Sequence, residues 1–491
     1  MGLISLYFAL FFLVVLPLNW ALRTTGRLYR FFLLGACYVF YGSQNPKFLL
    51  LLIHFSFWTW LLGLGICEAC RSWLRKGLLT FHLVIGIGGL LFFKYYDLLY
   101  ESLNQAFGFI RLGALLPDLD PIVPVGVSFF TFQGLSYTID VYRDQQRTVR
   151  SPLDIFIFMA FFPTVLSGPI MRAANFIPQI GKMHHDMKSS SDGFILILMG
   201  LVKKLVLSSY LFEHVVQPVF QAPYDYSSLS VAIGVVGYSM QILCDFSGYT
   251  DLVTGIALLL GYSIPPNFNH PYSARNLKEF WPRWHMSLSS WLKDYLYIPL
   301  GGNRRGLVRK YFNILITMTL GGLWHGANWN YLFWGVFHGM GLVATHMASD
   351  FRGRISLFRN RETPIRRARW DSRTASTITA VVSWLSTFVF LLIGWIFFGT
   401  KSLGQAAALL HRIFDLDLVG KGFSHYVTVA ALCIIATVLL HEIFRIRFRE
   451  VLSWFFQTLP FVFQVALLSL LIAVLLRLAP DGVPQFVYYQ F

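Results

Sequence analysis

The stretch TLGGLWHGANWNYLFWG, Thr319–Gly335, sets His325 in an apolar run between Trp324 and Trp329. His338 follows in the same run, and His285 stands a little earlier in WPRWHMSLSSW, close to Arg283. A neutral imidazole has a lone pair and can take a proton from a hydroxyl as that oxygen attacks an acyl carbon. Asn328 or Asn330 is placed to orient the ring or to donate to a developing oxyanion. Trp324 and Trp329 would shape a tunnel wall or simply pack. These residues leave two readings of His325 open, a packed core side chain or a working base. Gly321, Gly322 and Gly326 admit another chain segment or a ligand at close range, which favours the second. No Cys, Asp or Glu lies near His325 and His338 before Asp350. That argues against a metal site, which usually needs three or four ligands and further groups to orient them.

The elements that hold these side chains must be membrane helices. The chain has 491 residues, 56% hydrophobic, 17% aromatic and 13% charged. A soluble domain carries roughly 25% charged residues, so most of this surface is solvated by lipid. Continuous apolar runs recur at Leu3–Trp20, Gly77–Leu91, Ser228–Leu243, Ile378–Phe398, Thr428–Ile443 and Leu459–Leu476. Continuous rather than alternating apolarity means helices, not a barrel. The length criterion gives an all-α integral membrane protein with about 11 to 13 spanning or partly inserted segments. MGLISLYFALFFLVVLPLNWALR has no basic start and no small-residue cleavage site, and reads as a membrane helix rather than a removable signal.

The net charge is +16. Membrane topology accounts for it better than nucleic acid does, because Lys and Arg collect in cytoplasmic loops and no basic stretch accompanies a soluble fold. The basic groups are Arg71, Arg75 and Lys76; Lys203 and Lys204; Arg304 to Lys310; and Phe351–Arg373. Cys67 and Cys70 form a lone C-x-x-C beside basic residues and read as reduced thiols. No linker divides the chain, so 1–491 reads as one domain. Its centre, about 121–350, is threaded with polar residues, and polar residues at membrane depth face a cavity or a functional site. From Thr374 the chain returns to plain apolar helices. Asn267–Gly306 is too polar to span and too aromatic for a solvated loop, which suits an interfacial or re-entrant segment.

Charge bookkeeping places the histidines. If the basic groups at Arg304–Lys310 and Arg352–Arg373 share the cytoplasmic face, the chain between them crosses an even number of times. About 41 residues lie between Lys310 and Arg352, room for two helices of about 20. His325 then lies about 22 Å beyond Lys310 and His338 about 21 Å before Arg352, at similar depth.

At these residues the chain resembles the membrane-bound O-acyltransferase family, in its bacterial polysaccharide-acetylation branch. PVGVSFFTFQGLSYTIDVYR, FFPTVLSGPIMR, DFSGYTDLVTGIALLLGY, PPNFNHPYSARNLKEFWPRWHMSLSSWLKDYLYIPLGGNRRG, GGLWHGANWNYLFWGVFHG and the closing FVYYQF carry the resemblance. It implies a multi-pass enzyme of the bacterial cell membrane, with helices around a central tunnel. In that branch an acetyl group passes from a cytoplasmic donor, acetyl-CoA, toward an exported polysaccharide such as alginate or cellulose, aided by an extracytoplasmic acetyltransferase partner protein. No bound cofactor is implied. The family's catalytic histidine falls on His325, a second important histidine on His285, and a common downstream histidine on His338. Asn269, Arg283, Lys293 and Asp294 become lining or donor-binding candidates, beside Asn328 and Trp324. Basic residues near the cytoplasmic face would hold coenzyme A phosphates or simply anchor at the interface. Lys293 stands where the branch often has Arg, and the VLSGPI stretch also departs mildly from the branch pattern.

Two other readings remain at this point. The same fold serves D-alanyl transfer and peptidoglycan O-acyl transfer. A proton-coupled transporter or flippase would use Asp245, Asp251 and the histidines as a relay.

Overall fold

In lipid every backbone N–H and C=O must be satisfied within its own segment, so continuous apolar sequence folds as helix. The computed structural model describes residues 2–109, 121–144, 147–182, 187–359, 372–417 and 423–443, with isolated positions at 117, 119 and between 451 and 477. Among the described residues there is no strand, only one antiparallel bridge between Phe268 and Trp284. The chain is an all-α membrane protein. Its described residues gather into two compact units, Met1–Ser209 with Cys244–Pro266 and Val438–Phe491, and Tyr210–Leu243 with Asn267–Thr437.

The first unit holds α1 (Leu6–Leu22), α2 (Arg27–Gly42), α3 (Pro46–Glu68), α4 (Ser72–Phe109), α5 (Val127–Arg143), α6 (Pro152–Ala160), α7 (Ala173–Phe176) and α8 (Met187–Leu201). Asn45 and Ser151 cap α3 and α6 through their side chains, each followed by proline in the first turn, where its missing N–H costs nothing. Most polar residues of α5 are buried, and several buried polar groups of the unit find partners within it. Arg23 donates to the carbonyls of Lys182, Leu260 and Gly261. His82, fully buried, bonds Thr138 through Nδ1 at 2.9 Å and Thr59 through Nε2 at 3.2 Å. Beyond α8 the chain continues as a π-helix, Val202–Ser208, whose Lys203 pairs with Asp251 at 2.7 Å and Lys204 with Asp245. Cys67 and Cys70 are free thiols.

Next in the chain come α9 (Ser209–Leu211), α10 (Gln217–Gln221) and α11 (Ser228–Leu259), which contributes residues to both units. The second unit continues through α12 (Leu277–Phe280), α13 (Met286–Leu292), α14 (Gly306–His325), α15 (Trp329–Arg359), α16 (Ser372–Gly399) and α17 (Leu403–Phe414), and takes most of α18 (Phe423–Ile443). Asn267–Gly306 does not span. It breaks into short turns of 3-10, α- and π-helix, as its aromatic and polar mixture leads one to expect.

Five described helices are long and apolar enough to cross a membrane: Pro46–Glu68, Ser72–Asn104, Ser189–Gln221, Ser228–Leu259 and Thr377–Gly399. That is fewer than the run lengths alone give. Leu3–Trp20 and Thr428–Ile443 appear as shorter apolar helices, and Gly77–Leu91 is absorbed into α4. Most of Leu459–Leu476 and all of FVYYQF lie outside the described residues, as do the side chains of the basic stretch from Arg352 to Arg373. The pair α14 and α15 also falls outside the five, because charged, Asn and His residues dilute its apolarity.

The hairpin of α14 and α15 positions the candidate site. A Cβ on Gly322 would lie 2.3 Å from the Tyr331 carbonyl oxygen, and one on Gly335 would lie 2.6 Å from that of Met318. The two backbones therefore touch, which only glycine permits. At the open end, Lys310 Nζ meets Asp350 at 2.6 Å and Tyr311 donates to the same carboxylate at 3.0 Å. The hairpin expected from charge bookkeeping is present, with its turn at Gly326–Asn328.

Candidate active site

His325 is the last residue of α14, and 4% of its surface is exposed. Its ring packs edge-on against Trp324, Trp334 and Phe398, with centroids 5.1, 5.2 and 5.1 Å away. Trp324 also contacts His285 at 5.8 Å, and Trp334 contacts His338 at 4.7 Å. The order His285, Trp324, His325, Trp334, His338 is thus one ladder of ring contacts. It joins the three histidines singled out from sequence and one of the two tryptophans. Trp329, the other, is 54% exposed and takes no part in the buried ladder.

His285 holds its place by an unusual backbone. It caps α13 with φ 43° and ψ 55°, in the left-handed region, which costs a non-glycine residue about 1–2 kcal/mol. The surroundings enforce it. Asn269 N–H donates to the Arg283 carbonyl, Met286 N–H to the Asn267 carbonyl, and Ser287 N–H to Asn267 Oδ1. Strain of this kind persists where surrounding structure over-determines it, often at functional sites.

The other candidates divide. Asn328 caps α15: its Oδ1 accepts from Asn330 N–H at 2.9 Å and its Nδ2 donates to the Lys401 carbonyl at 3.0 Å. Asn330 donates to both the carbonyl and the hydroxyl of Thr400, at 2.8 and 3.0 Å. Each amide thus bonds the end of α16 rather than the His325 ring. Both are committed to tying the start of α15 to the end of α16. Replacing Asn330 with Ala is expected to lower stability by about 1–3 kcal/mol, the cost of leaving a buried partner unmet, readable as a lower Tm in detergent. Asn269 and Lys293 are exposed. Arg283 donates to Ser273 Oγ at 2.6 Å, and Asp294 is half-buried in the π-helical turn Lys293–Tyr297.

Glu279 anchors the turn before His285. Its carboxylate accepts from the Arg275 backbone N–H at 3.1 Å and from Asn276 Nδ2 at 3.0 Å. The Arg275 amide, chiefly, holds its pKa below the ordinary 4.5. The depressed value means this bracing is complete above pH 4.5 and is lost as pH falls through the folded-state value. Hydrogen exchange at the Arg275 amide is expected to speed up only below that ordinary value.

Sequence reasoning missed the contribution of α16. It reads as a plain apolar helix, yet Trp395 and Phe398 pack on the ladder, with Trp395 6.3 Å from Trp334. A Cβ on its Gly394 would lie 2.6 Å from His338 Nε2. The signal available was the spacing of Leu391, Trp395 and Phe398, one helical face at i, i+4 and i+7, all buried. Trp281 and Trp334 were likewise passed over. Among the described residues, no group of three or more His, Cys, Asp or Glu side chains is placed to hold a metal ion.

The family model for membrane-bound O-acyltransferases matches residues 126–370, which include the whole ladder. A probable alginate O-acetylase of Pseudomonas aeruginosa is 34% identical over 407 residues, 80% of this chain and 71% of the relative. A peptidoglycan O-acetyltransferase of Helicobacter pylori is 30% identical over 417 residues, 79% of this chain and 74% of that protein. A teichoic acid D-alanyltransferase of Bacillus subtilis is 28% identical over 292 residues, 56% of this chain and 69% of that one. Motif order, helical architecture and these matches agree: the chain belongs to the membrane-bound O-acyltransferase family and is a multi-pass membrane acyltransferase.

Proposed function

We propose that this chain transfers an acetyl group from acetyl-CoA on the cytoplasmic side to a hydroxyl destined for an exported polysaccharide, in the cell membrane of a bacterium. The observation that carries the reading is His325, buried at the tip of the α14–α15 hairpin among Trp324, Trp334 and Phe398. In its neutral form this imidazole takes the proton of the attacking hydroxyl, and it returns that proton to the departing thiolate. The ring contacts fix its orientation and keep bulk water from competing. His285 acts as a second site residue through Trp324. Lys293 and Arg283, on the polar segment before α14, are the candidates for the donor's phosphates. The alginate O-acetylase relative supports a polysaccharide, and an extracytoplasmic acetyltransferase partner would complete delivery.

The Helicobacter relative favours a second reading with the same chemistry, in which peptidoglycan takes the group. A proton-relay transporter loses support, because Asp251 and Asp245 are engaged by Lys203 and Lys204. The acceptor is tested by deleting the gene and measuring ester-linked groups on each envelope polymer. Loss of O-acetyl from the exopolysaccharide alone is expected. Loss confined to peptidoglycan or to D-alanyl esters would replace the substrate, and no loss on any polymer would remove the reading.

A further inference from the structure

Some indole N–H and imidazole nitrogens of this protein have partners within the chain. Trp60 and Trp384 donate to the carbonyls of Arg150 and Tyr272. His82, as buried as His338, has both ring nitrogens bonded to threonine hydroxyls. Around His338 they do not. Its Nδ1 and Nε2, and the indole Nε1 atoms of Trp281, Trp334 and Trp395, are all buried without a hydrogen-bond partner. His338 is 0% exposed, Trp334 2% and Trp395 1%. The four rings touch: His338 lies 4.7 Å from Trp334 and 5.2 Å from Trp281, and Trp334 lies 6.3 Å from Trp395.

An unmet buried polar atom is expensive, and five on four touching rings mark a place that something polar fills. The chemistry of the lining defines the occupant. An indole N–H can only donate, so the occupant offers acceptors. The other rings packed on His338 are Phe337 and Phe390, and the α16 backbone closes in at Gly394. No charge among these neighbours would neutralise a phosphate or carboxylate, which burial would make costly. A neutral carbonyl fits. Trp334 also packs against His325 at 5.2 Å, so this lining adjoins the proposed base.

We propose that Trp281, Trp334 and Trp395, with His338, form an indole-donor site that binds the carbonyl oxygen of the transferred acyl group. The inference rests on the acyl-transfer reading above and supplies the oxyanion donors that Asn328 and Asn330 do not. The hydroxyl oxygen bonds to the thioester carbonyl carbon while its proton passes to His325. The carbonyl electron pair moves onto oxygen and is held by the indole N–H groups. The pair then re-forms the carbonyl, the carbon–sulfur bond breaks, and the thiolate takes the proton from His325. An ester and a free thiol result.

Phe keeps the ring and deletes the donor, so Trp281→Phe, Trp334→Phe and Trp395→Phe are assayed one at a time, with acetyl-CoA and a hydroxyl acceptor. At least Trp334→Phe is expected to lower kcat by about 10- to 100-fold, below or within the usual range for removing one oxyanion donor, with binding of deacetylated coenzyme A unchanged. A non-cleavable ketone analogue of acetyl-CoA, carbon-13 labelled at the carbonyl, gives a second measurement. Its infrared carbonyl stretch is expected to fall on binding to the wild-type protein and to recover partly in Trp334→Phe. Wild-type kcat in all three variants, or a carbonyl stretch unmoved by binding, would overturn the proposal. Failure of the acyl-transfer reading looks different: the wild-type protein itself would transfer no acetyl, and His325→Ala would change nothing.

Discussion

Replacing His325 with Ala is expected to lower the rate of acyl transfer by about 10²- to 10⁴-fold, the usual contribution of a positioned general base. Its neighbours explain why the loss should be chemical rather than structural. Trp324, Trp334 and Phe398 form its immediate ring contacts, and Trp334 and Phe398 also pack directly on one another at 5.3 Å. The aromatic cluster therefore keeps much of its packing when the imidazole is removed. His325→Gln separates the two effects further, since Gln fills similar space and hydrogen bonds but accepts no proton at neutral pH. The two variants are expected to share the activity loss and to melt within a few degrees of the wild type. An active, folded His325→Gln protein would remove the base role.

The second large effect is expected at Gly322. Both Gly322 and Gly335 lie within helices, where Ala is ordinarily favoured over Gly by about 1 kcal/mol. Here a Cβ on Gly322 would meet the Tyr331 carbonyl oxygen at 2.3 Å and Gly335 Cα at 2.8 Å, and both are backbone atoms that cannot rotate away. Gly322→Ala must push α14 and α15 apart. We expect a net loss of about 2–3 kcal/mol, at the upper end for overpacking, seen as a lower Tm. Because His325 is one turn further along α14 and Trp334 sits beside Gly335, activity should fall as well, by about 10²-fold for a displacement near 1 Å. Gly88→Ala, where a Cβ meets nothing within 4 Å, is the control and should leave both measurements unchanged.

The two-helix hairpin was legible from the basic groups on either side of it and the 41 residues between Lys310 and Arg352, a span that α14 and α15 occupy. The motifs around His285, His325 and His338 also mark these three histidines in the sequence. Other features were hidden for identifiable reasons. Trp395 and Gly394 sit in a helix whose composition matches any lipid-facing span, and only tertiary packing turns that face onto His338. The left-handed backbone of His285 depends on hydrogen bonds to Asn267 and Arg283, which no local propensity encodes. Asn328 and Asn330 carry the right groups for an oxyanion hole, but their amides bind the backbone around Thr400, a partner far away in sequence.

Chemistry at His325 is tested most directly by following a labelled acetyl group with the purified full-length protein in liposomes. Acetyl-CoA labelled in the acetyl group is supplied on one side and a carbohydrate hydroxyl acceptor on the other. Label is expected to appear as an alkali-labile ester on the acceptor, with free thiol released in equal amount, and neither product should form with the His325→Ala protein. Label crossing the membrane as unaltered acetyl-CoA, or ester formed at the wild-type rate without His325, would contradict it.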